Sequence, residues 1–201
     1  MTRRAAPLLA LWLVACGGPA AVAYSDQWPT RAGDYDDVTQ AWSRDARFQA
    51  SYQQVLEVSA TFKSPEWRAA HVERTTRLAN LDATQRAALV AEQQQAAADH
   101  YEVELLVTTW DRRENDLHRA NASWKVELID DKGAVVEPSV IERDRRPENI
   151  LRASFPGMGD FTQAYVVRFP RRVDLAAARS FRIRIWSERG AVEMVWQNAR
   201  G

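Results

Sequence analysis

A single cysteine, Cys16, excludes an internal disulfide, so any fold must be held by its core alone. Three histidines, His71, His100 and His118, leave little material for a zinc site, and no H-E-x-x-H motif occurs. G-x-S-x-G and G-x-x-x-x-G-K-[ST] are also missing, which removes the commonest local signs of a serine hydrolase or a P-loop. Charge of one sign is lacking too, because 27 basic residues balance 27 acidic ones. No nucleic-acid partner is expected, since that needs a strongly basic patch or stripe. What the chain does have is aromatic mass. Eight tryptophans and a hydrophobic fraction of 46% suffice for one globular domain without cross-links.

The N-terminal residues, with Arg3 and Arg4 at their head, lead into an apolar run from Ala5 to Ala15 and then Cys16-Gly17-Gly18. A basic start, a short apolar run and small residues form the pattern of a secretory signal. The run has about half the ~20 residues a helix needs to cross a bilayer. Leu13-Val14-Ala15-Cys16 resembles the lipobox of bacterial lipoproteins. That resemblance implies cleavage before Cys16 and acylation of the new N-terminus, palmitate included. Two acyl chains make a stable hold on a membrane. Losing Arg3 and Arg4 leaves 25 basic against 27 acidic residues, a mature charge of −2. Gly17, standing where Asp would signal inner-membrane retention, points to the outer membrane. The alternative is Ala21-Val22-Ala23, which ordinary signal peptidase could cut to release a soluble protein starting at Tyr24.

The leader therefore covers 1–15, and 16–43 reads as a tether, with Gly, Pro, Ala and acidic residues in no sustained period. Asp34-Tyr35-Asp36-Asp37 lacks the ligand loop of a calcium hand and reads as solvated. A single domain is expected over 44–201. Its first strand lies in Val55 to Phe62, by partial alternation. Ser64-Pro65 then opens a helix carrying Trp67, His71 and Leu78 near one face, and Asp82 with Gln85 makes a capping box for a second. This helical pair occupies about 65–99. Alternating strands follow around Tyr101–Val107, Trp124–Ile129, Ala134–Val136, Ile150–Phe155, Tyr165–Phe169, Phe181–Trp186 and Val192–Trp196. Asp130-Asp131-Lys132-Gly133 supplies a hairpin turn. Together these predict a mainly β chain: an antiparallel, immunoglobulin-like β-sandwich of seven or eight strands with a two-helix insertion after the first strand. The order of leader, strand, helical pair and sandwich resembles uncharacterised lipoproteins of bacterial envelopes, a likeness that carries no activity with it.

Candidate sites are few. His100, Glu102 and Glu104 share one face of a strand, the nearest approach to a metal set. Side chains two apart on a strand stand roughly 7 Å from each other, so a solvent-facing polar row is expected and no metal or other cofactor. Arg168, Arg182, Arg184 and Trp186 point away from the expected core, and would form a binding patch if their two strands pair. The bland alternative is a wet sheet face whose arginines pair with Glu193 and other carboxylates. The loop from Trp110 to His118 reads as a turn tied by Asp111 and Asp116, and Glu142 to Glu148 as a solvated connection. No catalytic residue is assigned. The sequence thus favours an envelope lipoprotein that is not an enzyme, with the membrane and an envelope protein as partners. The alternative is a periplasmic hydrolase using carboxylates with His100 or His118.

Overall fold

The computed structural model describes residues 21–50, 53–155 and 157–199. The leader and Cys16 lie outside the described residues. The chain enters the fold earlier than a tether ending near residue 43 allows. Val22 forms a parallel bridge with Asn198, donating to Gln197 O and accepting from Ala199 N, both at 2.8 Å. Tyr24 is buried and meets Trp42, Phe62, Tyr101 and Phe181 edge-on, at centroid distances of 5.7 to 6.4 Å. Two apolar residues at the right spacing are enough to pull an otherwise polar segment into the core.

Asp34 caps the first helix, α1 (Tyr35–Trp42), by accepting from Asp36 N and Asp37 N. The acidic cluster is thus a helix start. A hairpin follows, β1 (Ser43–Ala50) and β2 (Gln53–Phe62). Then come α2 (Pro65–Ala79) and α3 (Ala83–Asp99). Their caps form as predicted: Ser64 accepts from Trp67 N, and Asp82 and Gln85 close a reciprocal capping box. Leu78, expected on the packed face of α2, is 72% exposed, and α3 has no buried residue. The helical pair follows the second strand, because β1 precedes the strand recognised in the sequence.

The rest of the chain is β3 (His100–Thr109), β4 (Lys125–Asp130), β5 (Val135–Val136), β6 (Val140–Arg143), α4 (Glu148–Ser154), β7 (Gln163–Pro170), β8 (Ser180–Ser187) and β9 (Gly190–Gln197). The segment predicted as a strand near Ile150–Phe155 is helical. Leu151 and Phe155, four apart, are both buried while Ile150 is 45% exposed, a helical and not an alternating pattern. The β4–β5 turn forms as predicted, with Gly133 at φ 84° and Asp130 Oδ1 accepting from Lys132 N and Ala134 N.

Two antiparallel sheets result, ordered β1-β2-β3-β7-β6 and β5-β4-β8-β9. Val103, Leu105, Val107, Tyr165, Val167, Phe181, Ile183, Ile185, Met194 and Trp196 fill the space between them. The β1 and β9 edges meet: Arg44 Nε donates to Val195 O at 2.9 Å, and Phe48 packs on Gly190. Helices α1, α2 and α4 cover the outer face of the five-stranded sheet, with Tyr35, Trp67, His71 and Phe155 stacked between them. The outer face of the four-stranded sheet carries no helix among the described residues.

Candidate functional site

The row His100, Glu102 and Glu104 does share a face of β3, but that face is covered. Glu102 is 8% exposed and Glu104 0%, so the row is a buried polar cluster and not a wet one. Lys63, the residue after β2, reaches both carboxylates, its Nζ lying 2.7 Å from Glu102 Oε1 and 2.9 Å from Glu104 Oε2. Glu102 Oε2 lies 3.1 Å from His100 Nε2, 3.1 Å from Arg168 Nε and 3.7 Å from Arg68 Nη2. Arg146, from the link between β6 and α4, approaches Glu104 at 3.4 Å and Asp144 at 2.5 Å. The run from Glu142 to Glu148 therefore closes this cluster and is not simply solvated. Arg168 also reaches Glu142 at 2.7 Å, so it serves the network and not the Trp186 face.

Burial alone would raise both carboxyl groups, yet the two end differently. At Glu102 the effect of burial is outweighed by Lys63, the His100 hydrogen bond and Arg68, which hold it far below the usual carboxylate range. At Glu104 burial prevails, aided by the neighbouring Asp144 carboxylate and opposed by Lys63 and Arg146, and its pKa is pushed up to about 7. Glu104 Oε1 has no hydrogen-bond partner among the described residues, in keeping with a costly ionised form. Burial lowers Lys63, but Glu104 and Glu102 more than offset it and keep the ammonium charged. His71, stacked on Trp67 at 5.1 Å, is lowered to about 4 by burial and then by Lys63, Arg146 and other cations. It is a neutral imidazole packed among cations.

The proposed Arg168, Arg182, Arg184 and Trp186 patch is divided by the topology. β7 and β8 belong to different sheets, so Arg168 stands on one outer face and the other three on the opposite one. Arg182, Arg184 and Trp186 do stay together on β8. Arg182 lies 3.3 Å from Glu193 and Arg184 3.9 Å from Glu127, while the Arg184 guanidinium stands 5.8 Å from the Trp186 ring centroid. The Trp110–His118 loop is tied largely from within: Asp111 binds Arg113 N and its guanidinium, and Asp116 accepts from Ser123 N. Asn115, which the sequence reading passed over, donates to Val107 O and accepts from the Tyr165 hydroxyl at 2.9 Å. His118 lies apart from the carboxylate cluster, stacked on Tyr165.

A groove of about 1020 Å³ runs between α1, β1 and the end of α4, lined by Asp36, Asp37, Asp45, Arg152 and Ser59 among others. It contains no histidine. No group of three His, Cys, Asp or Glu side chains among the described residues is placed to hold a metal ion, and no helix among them is long and apolar enough to cross a membrane. No family model, curated protein or solved structure matches the chain.

Proposed function

We propose that the chain is an envelope lipoprotein, acylated at Cys16 and held on the outer membrane facing the periplasm, whose sandwich binds or supports another envelope component without catalysing a reaction. The observation that carries the anchor is the lipobox-like Leu13-Val14-Ala15-Cys16 at the end of the apolar run. The packing of Val22 adds support. Cutting before Tyr24 would remove a buried residue and two backbone hydrogen bonds, whereas cutting before Cys16 leaves the fold whole. The non-catalytic reading rests on how the imidazole and carboxylates are used. A hydrolase needs its base within reach of substrate, but Glu102 and Glu104 are engaged by Lys63, Arg68, Arg146 and Arg168 beneath a helical layer. Two antiparallel sheets packed face to face without a disulfide fit an immunoglobulin-like sandwich in architecture.

The test is the intact mass of wild type and Cys16→Ala protein extracted from bacterial membranes with detergent. A wild-type mass beginning at Cys16 with added acyl chains, lost in the variant, supports the anchor. A mass beginning at Tyr24 in both proteins refutes it. Turnover of any substrate class that one point substitution abolishes would refute the non-catalytic part.

A further inference from the structure

We infer that the outer face of the four-stranded sheet lies flat on the lipid headgroups of the membrane that holds the chain. The inference rests on the acylation of Cys16 proposed above, and on where the chain enters the fold. Four residues separate Cys16 from Ala21, a reach of at most about 18 Å even fully extended. The anchor therefore allows no long tether, and some face of the domain must stand at the headgroups.

Position and charge select the face. Val22 pairs alongside β9 at Asn198, and both side chains are buried. Alternation then puts Ala21 and Ala23, both exposed, on the same outer surface as Val195 and Gln197. The chain thus emerges at the rim of the face that carries Arg182, Arg184 and Trp186 on β8 and Lys125 on β4. Three cations there stand against two carboxylates, Glu127 and Glu193, and no helix among the described residues covers them. Trp186 is half-buried, its ring edge reaching the surface while the indole N–H is turned inward, without an acceptor among the described residues. Arginine, lysine and tryptophan are the residues that settle at a membrane interface. The groove beside α1 suits an anionic surface less well, because it sets three carboxylates, Asp36, Asp37 and Asp45, against two cations, Arg44 and Arg152. An anionic lipid surface is therefore the occupant that matches both the short link and the charge.

The test uses the acylated full chain reconstituted in vesicles of phosphatidylcholine and phosphatidylglycerol. A nitroxide is placed at Ala191→Cys, about 20 Å along β9 from Gln197, or at Ala91→Cys on α3; both sites are exposed. Cys16 is the only other cysteine, and its thiol is consumed by the lipid. Each labelled protein is first checked for wild-type melting and for its intact mass. The expected result is that the label at position 191 is shielded from a water-soluble nickel chelate while the label at 91 is not. Adding Arg182→Gln and Arg184→Gln should then lower the shielded population by about fivefold per charge removed. Equal collision rates at the two sites in a protein whose mass includes lipid overturn the orientation and leave the anchor standing. A mass without lipid overturns both. Shielding in native membranes but not in vesicles also overturns the inference, in favour of a protein lying on this face.

Discussion

Replacing Glu104 with Gln should change how the fold responds to pH more than how stable it is at any one pH. In the folded protein the Glu104 pKa stands at about 7, against an ordinary value of 4.5. The folded state thus holds a proton that the unfolded chain releases between those limits, and this contribution to stability is lost as pH rises from 4.5 through 7. Over the whole window the loss comes to about 3 kcal/mol. His71 acts in the opposite sense. Its folded pKa is lowered to about 4 from 6.5, so the unfolded chain binds the extra proton and stability grows as pH rises from 4 to 6.5, again by about 3 kcal/mol. In wild type these two slopes oppose each other between pH 4.5 and 6.5. Glu104→Gln removes one of them. The variant should therefore gain stability relative to wild type as pH rises, until it is about 3 kcal/mol ahead near pH 8 on this account alone. Lys63 keeps Glu102 at 2.7 Å in the variant, so its charge is not stranded. Urea denaturation at half-unit intervals from pH 5 to 8 reads this directly. Parallel curves for the two proteins would refute the reasoning. So would a variant that is weaker at pH 8 than at pH 5 relative to wild type, because ionised Glu104 would then be a net stabiliser through Lys63 and Arg146.

Other consequences can be checked by ordinary stability measurements. Tyr24→Ala empties a position enclosed by four aromatic rings and should cost about 3 to 5 kcal/mol in chemical denaturation; a change under about 1 kcal/mol would mean that 22–24 is not part of the core. Gly190→Ala should be destabilising beyond its backbone cost, since φ is 153° and the new Cβ would meet the Phe48 ring at 2.5 Å. Combining it with Phe48→Ala should recover part of the loss, and simple additivity would count against the contact. Asp82→Ala should cost about 1 kcal/mol, seen first as faster amide exchange in the first turn of α3, which has no buried residue to hold it in place.

Much of the architecture was legible because its signals are local. Ser64-Pro65, Asp82 with Gln85, and Asp130 to Gly133 each fix a boundary through side-chain to backbone hydrogen bonds between close neighbours. Strands β3, β4, β7, β8 and β9 each set a run of alternating apolar residues against the core, and period two reports that directly. Strands β1 and β6 gave no such signal because they are sheet edges, where Ser43-Arg44-Asp45 or Glu142-Arg143 costs little. Residues Ile150 to Phe155 are too few for periodicity to separate helix from strand.

The polar face of β3 shows where local pattern stops carrying information. Alternation correctly placed His100, Glu102 and Glu104 on one side, and by itself it gave that side to water. What covers it comes from far along the chain: Lys63 and Arg68 about 40 residues before Glu102 and Glu104, and Asp144 and Arg146 about 40 residues after. None of these residues signals its partner by spacing. A carboxylate on a strand looks the same in sequence whether it meets water or an arginine from another layer. The distinction matters for function, because the same three residues would be an open catalytic candidate in the first case and an internal strut in the second. Arg168 parts from the β8 residues for the converse reason. Arg168 and Arg184 carry equivalent patterns on successive long strands, and only the crossing of the chain from one sheet to the other sends the first inward to a buried network and leaves the second on an uncovered face.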